Sequence, residues 1–315
     1  MSSSVSPAAS PAQGAATAPG PDAGGAPASP DHWRGTATPD LAALRTELDR
    51  IDDSMHDLLM QRAQVVAHVA RAGKPAAFRP GREASMLRRL LGRHSGPLAP
   101  QAIVRIWREL LAATTAMQGV YSVAVCEVDP HAGFTQAARE HFGALTPLLV
   151  HGGPAQTLAS LSAGAAALAV LPMPSETESP RDAWWLSLLQ THDPRMHVIA
   201  RLPFWARRPD GTPQIQALVL AAAPPDASGQ DRSLVGLELD LDVSRTRLSA
   251  ALSTAGLSAQ SVILRRDPGV PVAHALAEID GFLTEDDPRL AALTPLLRPP
   301  VLLGGYAVPV GGDMP

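Results

Sequence analysis

Leu41, Leu44, Leu48, Ile51, Met55, Leu58, Leu59, Val65, Val66 and Val69 recur at the spacing of one helix face, with polar side chains between them. Thr38 suits an N-cap, Pro39 the first helical position and Asp40 the positive end of the dipole. No breaker follows until Gly73 and Pro75, so the pattern predicts a helix of about 34 residues, roughly 50 Å long at 1.5 Å per residue. A helix that long outruns any core so small a segment can supply, and it asks for a partner chain. A second helix is predicted over 80–93, with Met86, Leu87, Leu90 and Leu91 facing inward. After the turn Gly96-Pro97, a third over 100–118 carries Ile103, Ile106, Trp107, Leu110, Leu111 and Met117, and Gly119 closes it. Residues 38–119 therefore read as an all-α, three-helix domain.

The period then changes. Strands are expected at 121–128, 147–150 and 166–171, separated by helices at 134–142 and 155–162, which is α/β alternation. A helix near 183–190 and a strand near 197–203 follow, and two β-like runs flank the loop 224–231. From Leu234 the order is strand, helix (245–255), strand (260–265), strand (272–279), helix (288–297), strand (301–308), a βαββαβ module of α+β type. The expected organisation is thus multidomain: a helical domain (38–119), a shortened α/β segment (120–230) and the βαββαβ module (231–315).

Composition adds a fourth piece. Residues 1–37 are Ala, Pro, Ser and Gly with hardly a large apolar side chain, and are expected to be a disordered tail. Charge is uneven: residues 39–119 carry 12 basic and 8 acidic side chains, a balance of +4 in a chain whose formal net charge is −4. That excess is small for a nucleic-acid binder and suits a small anionic ligand. Cys126, alone of its kind, lies in an apolar run and reads as a buried small hydrophobe; it cannot form an intrachain disulfide. No signal peptide or membrane-spanning stretch is recognisable, so a cytoplasmic, soluble protein is expected, with no nucleic acid or membrane among its partners. The ten histidines are scattered without ligand spacing, and no metal site is expected.

Lys74 is the single lysine among 26 basic residues. Lysine delivers a point charge where arginine presents a planar fork. Arg45 and Arg62 lie 17 residues apart on the long helix, about 26 Å along its axis, so no small ligand reaches both on one copy. In an antiparallel helix pair, Arg45 of one copy approaches the Arg62 and Lys74 region of the other. Arg82 and Glu83 at the start of the second helix, and Thr114 and Gln118 one turn apart on the third, complete a lining suited to a small dianion.

The strings Leu44-Arg45, Ile51-Asp52, Leu58-Leu59, Arg62, then Arg79-Pro80-Gly81-Arg82-Glu83-Ala84 with Leu87-Arg88-Arg89-Leu90, and Arg105-Ile106-Trp107-Arg108-Glu109-Leu110 resemble the all-helical chorismate mutases. More closely, they resemble the mutase at the front of bifunctional chorismate mutase/prephenate dehydratase proteins. The resemblance implies an isomerase that carries out the [3,3] rearrangement of chorismate to prephenate in an intertwined homodimer, with no cofactor and no covalent intermediate. It assigns Arg45 of the partner chain and Arg62 to the substrate carboxylates, with Arg82 supporting that region. Lys74 and Gln118 donate to the ether oxygen, Glu83 accepts from the ring hydroxyl, and Thr114 takes a slot where serine is common. Counted from Arg62, the family's lysine slot falls on Gly73; a left-handed glycine there returns Lys74 to the site. Arg79 stands where the family often has an aspartate.

Beyond Val120, Val123-Ala124-Val125, Ala132-Gly133-Phe134-Thr135-Gln136-Ala137-Ala138 and His141-Phe142-Gly143 resemble the opening of prephenate dehydratase. The Glu-Asn-Ser/Thr signature expected after Ala169-Val170-Leu171-Pro172 is absent, as is the Thr-Arg-Phe motif, and the segment is short. A degenerate, inactive dehydratase-like segment is expected. The last 80 or so residues resemble an ACT regulatory module, including Gly304-Gly305-Tyr306, but 262–268 lacks the phenylalanine-binding motif. The alternatives to a monofunctional mutase are an enzyme with both activities and a non-catalytic regulator that binds aromatic metabolites.

Overall fold

The computed structural model describes residues 40–72, 78–119, 121–190, 194–205, 211–294 and 296–311. The expected tail, the cap at Thr38 and Pro39, and Gly73 with Lys74 lie outside the described residues. The described residues divide into two compact units, one up to Leu58 and the other from Leu59 onward.

Helix α1 spans Leu41–Arg71 and has no buried residue, although its apolar positions fall on one stripe. In the first unit Leu48 and Met55 are more than half exposed and Ile51 is also open to solvent. In the second unit Val65 and Val69 are likewise exposed. The stripe that the sequence predicts is present, and the described residues of one chain leave most of it exposed.

In the second unit, α2 (Pro80–Gly92) and α3 (Pro100–Ala116) each start with proline at a first-turn position, where its missing N–H costs nothing. Their shared face, Ala84, Leu87, Leu91 and Val104, packs with Phe204, Ala307 and Val310 from the α/β part. The α/β elements are β1 (Val123–Cys126), α4 (Gly133–Phe142), β2 (Leu148–His151), α5 (Pro154–Ser162), β3 (Leu168–Pro172), β4 (His197–Leu202) and β5 (Ala217–Ala221). They are followed by β6 (Asp231–Leu239), α6 (Arg245–Thr254), β7 (Ala259–Arg265), β8 (Ala273–Asp280), α7 (Pro288–Ala291) and β9 (Val301–Ala307).

The nine strands of the described residues form one sheet, in the order β2-β1-β3-β5-β4-β9-β6-β8-β7. Strands β1, β3 and β5 read as continuous apolar runs because both faces are covered. Ala124, Cys126, Ala169 and Leu171 face one cluster with Trp184 and Trp185, while Val123, Val125, Leu168 and Val170 face another with Phe134 and Phe142. Cys126 is fully buried, and burial pushes its thiol up to about 11. The last four strands follow the expected βαββαβ order, lie side by side as β9-β6-β8-β7 and are antiparallel throughout.

The two halves of the sheet meet where β4 pairs in parallel with β9 at Val198 and Gly304. Gly304 has φ +119°, and a Cβ there would stand 2.2 Å from the Val198 carbonyl oxygen, so only glycine permits the junction. Beside it, Arg201 donates to the Tyr306 hydroxyl at 3.0 Å, and Tyr306 donates to Glu278, which also accepts from Arg232 at 2.8 Å.

Two elements differ from their expected form. The helix expected over 183–190 is a 3-10 turn, Trp184–Leu189, held by two buried indoles: Trp184 donates to the Pro172 carbonyl at 3.0 Å and Trp185 to Glu178 at 2.8 Å. The helix expected over 288–297 is one turn, because the chain leaves it to pair with the β6 backbone, the Leu297 N–H donating to the Glu238 carbonyl at 3.0 Å.

Candidate active site

A cavity of about 630 Å³ opens between the last turns of α1, the start of α2 and the end of α3. It brings together Arg62, Arg82, Glu83, Thr114 and Gln118. Arg45 belongs to the other unit, where it is exposed, and Lys74 lies outside the described residues.

The geometry follows from helical spacing. Arg62 donates through Nη1 to Thr114 Oγ1 at 3.1 Å, and the Thr114 hydroxyl donates back to the Leu110 carbonyl at 2.8 Å. Gln118, one turn on, donates its side-chain amide to the Thr114 carbonyl at 3.3 Å. Partial burial pulls the Arg62 guanidinium below its usual value, with Glu83 acting in the opposite sense, and leaves it a cation. Val65, Val66, Val69, Met86 and Leu111 supply apolar walls, which lower the local dielectric and strengthen every charge that faces inward.

Glu83 is buried and accepts from Arg108 Nη1 at 2.9 Å. Burial pushes the Glu83 carboxyl up, Arg108 pulls it down, and Asp226 pushes it up again. Arg108 lies behind the carboxylate with its guanidinium 4.9 Å from the Phe204 ring centroid, so one cation is held by a carboxylate and an aromatic face. Among the described residues, four arginines line the cavity, Arg62, Arg79, Arg82 and Arg89, against the single, internally paired carboxylate of Glu83. Such a surplus of preorganised donors fits a ligand carrying more than one carboxylate.

Arg108 and Asp226 were not among the site residues expected from the sequence. Arg108 had a readable signal: it stands four residues after buried Val104 and seven before buried Thr115, in register with the core-facing side of α3. Asp226 had none, because it comes from the loop between β5 and β6, 145 residues beyond the Gly81 amide whose proton it accepts at 2.9 Å. The same carboxylate accepts from the Arg82 N–H at 3.0 Å, and the Arg79 guanidinium lies 3.5 Å away.

A second cavity, about 530 Å³, lies between α3, α4 and the chain leaving β4, walled by Val104, His141, Phe204 and Trp205. Its buried cation, Arg108, is turned to Glu83, so the anion-binding groups converge on the first cavity.

Residues 44–119 match the family model for chorismate mutase type II. The chain is 30% identical over 147 residues to a bifunctional chorismate mutase/prephenate dehydratase of Pseudomonas aeruginosa, an alignment covering 44% of this chain and 40% of that protein. It is 34% identical over 105 residues to the protein of that description from Neisseria gonorrhoeae, covering 33% and 28%. The chain thus spans about two fifths or less of these relatives' length. Among solved structures, prephenate dehydratase from Streptococcus mutans aligns with 59% of this chain and 97% of its own at 14% identity and a TM-score of 0.43.

Proposed function

We propose that the chain is a chorismate mutase that rearranges chorismate to prephenate by electrostatic positioning, in a homodimer, without a covalent intermediate. The observation that carries this reading is one cavity, inside the segment that matches the mutase family, where Arg62, Arg82, Glu83, Thr114 and Gln118 converge. Arg62 binds a substrate carboxylate and Arg82 supports it. Gln118 donates to the ether oxygen as the C–O bond breaks, Glu83 accepts from the ring hydroxyl, and Thr114 orients Arg62. A neutral amide at Gln118 needs no proton uptake before it can donate.

Arg45 of the partner chain and Lys74 complete the lining in this reading. The exposed stripe of α1 supports a dimer, since a second copy laid antiparallel would cover it and bring Arg45 to the far end. The remainder of the chain is a dehydratase-like segment without its catalytic signature, followed by an ACT-like module, for which the βαββαβ order is the support. No helix among the described residues is long and apolar enough to cross a membrane.

Chorismate consumption by the wild type and by Lys74→Ala tests the proposal. Turnover by the wild type and a fall of at least about a hundredfold in Lys74→Ala are expected, the size typical of removing one donor to developing charge. A wild type that leaves chorismate untouched defeats it.

A further inference from the structure

Helix α2 carries both Arg82 and Glu83, yet its own N-terminal residue does not cap it. Arg79, the N-cap, makes no capping hydrogen bond, and Pro80 has no N–H to offer. The first free amides of the helix, those of Gly81 and Arg82, are instead met by both oxygens of Asp226, at 2.9 and 3.0 Å. The contact is close on the backbone side as well, since a Cβ on Gly81 would stand 2.1 Å from the Asp226 carbonyl oxygen.

The rest of the loop holds the next two turns. Ser85 donates to the Ser228 carbonyl at 2.8 Å, and Arg88 donates to Ser228 Oγ at 2.9 Å, to the Gln230 carbonyl at 3.1 Å and to the Val308 carbonyl at 2.6 Å. The loop is itself fixed by Asp231, which accepts from the Ser228 N–H at 2.9 Å and the Gly229 N–H at 3.0 Å. Three successive turns of the helix that forms one wall of the cavity are therefore tied to the edges of β6 and β9.

We propose that Asp226 is a positioning residue of the candidate mutase site, fixing the first turn of α2 and with it the places of Arg82 and Glu83. This rests on the mutase reading for its catalytic consequence, and on the geometry alone for its structural one. A side chain from the α/β part thus holds the helical site in working order, and the segment past Val120 has a function in the site even without chemistry of its own. The charge acts along with the geometry. Glu83 faces Arg108 from α3, Arg62 from α1, Asp226 from the loop and Tyr121 from the link between α3 and β1. Removing the Asp226 charge takes away a repulsion and lowers the pH at which Glu83 ionises.

The test uses the full chain with Asp226→Ala, Asp226→Asn and Gly81→Ala, and Asp287→Asn as control, since Asp287 caps the distant α7 by the same chemistry. Hydrogen exchange at the start of α2 is expected to quicken about two- to thirtyfold in Asp226→Ala and Gly81→Ala, the range for a lost cap. Chorismate kcat/KM is expected to fall on the order of tenfold in both, mostly through KM, and the acid limb of its pH profile to move to lower pH in Asp226→Asn. Asp287→Asn is expected to leave exchange in α2 and the pH profile as they are in the wild type. Unchanged exchange in α2 overturns the proposal, as does faster exchange with wild-type kcat/KM and pH profile. A wild type without turnover defeats the mutase reading instead, and the exchange measurement still decides the clamp.

Discussion

Arg108 donates to Glu83 across 2.9 Å with both side chains nearly sealed, 5% and 10% exposed. Removing one member of a buried pair leaves the other charge without water or partner, which costs about 3–5 kcal/mol, whereas removing both is often close to neutral. Arg108→Met is therefore expected to lower unfolding free energy by that amount. The double variant Arg108→Met/Glu83→Leu is expected to recover most of it in urea titration while losing chorismate turnover. Losses that simply add would show that the two residues are not coupled.

His141 is buried, and its Nε2 has no hydrogen-bond partner. Burial first, and Arg108 second, hold its pKa well below the ordinary 6.5. The folded chain thus keeps the ring neutral while the unfolded chain binds a proton below about pH 6.5, so stability falls as pH drops through that point, by up to about 1.4 kcal/mol per unit. His141→Phe is expected to flatten the slope between pH 7 and 5, with a residual left by His197, which burial also depresses. An unchanged slope in urea midpoints across that range would assign the acid sensitivity elsewhere.

The helical segment was legible because its information is local. Periodicity placed α1, α2 and α3 to within a few residues, and Pro80 and Pro100 marked two of the starts. Five of the seven expected site residues converge, four because they lie on these three helices at spacings that one helix geometry decides, and Gln118 because it follows α3 directly in the turn that ends it. What escaped was non-local. Nothing around Asp226 signals that it meets α2, and nothing around Val198 signals that it meets Gly304. The 3-10 turn at Trp184 and the shortened α7 were missed for a related reason: indole donors and a strand edge override helix propensity.

Gly304 shows what such a contact demands. Alanine there would have to adopt φ +119° and place its Cβ 2.2 Å from the Val198 carbonyl oxygen, so the strand pair must separate or the backbone must move. Gly304→Ala is expected to cost at least about 3 kcal/mol. Gly269→Ala, also at positive φ but with nothing within 4 Å, pays backbone strain alone, about 1–2 kcal/mol. Equal losses in thermal unfolding would mean that the close approach at the β4–β9 junction contributes nothing.

The exposed stripe of α1 and the separation of Arg45 from Arg62 along it lead to a complementation experiment. If each site takes Arg62 from one chain and Arg45 from the other, Arg45→Ala and Arg62→Ala homodimers are both crippled at every site. When the two are mixed in equal amounts and allowed to exchange, half of the dimers are hybrids. Each hybrid has one site bearing both changes and one bearing neither, so activity is expected to recover to about a quarter of the wild type, one half of one half. The recovery should appear only on the time scale of subunit exchange, and should be absent when Leu48→Glu and Met55→Glu, placed on the stripe of both chains, prevent pairing. A mixture no more active than its parents, with hybrids confirmed by native mass spectrometry, would mean that Arg45 does not serve the site of its partner.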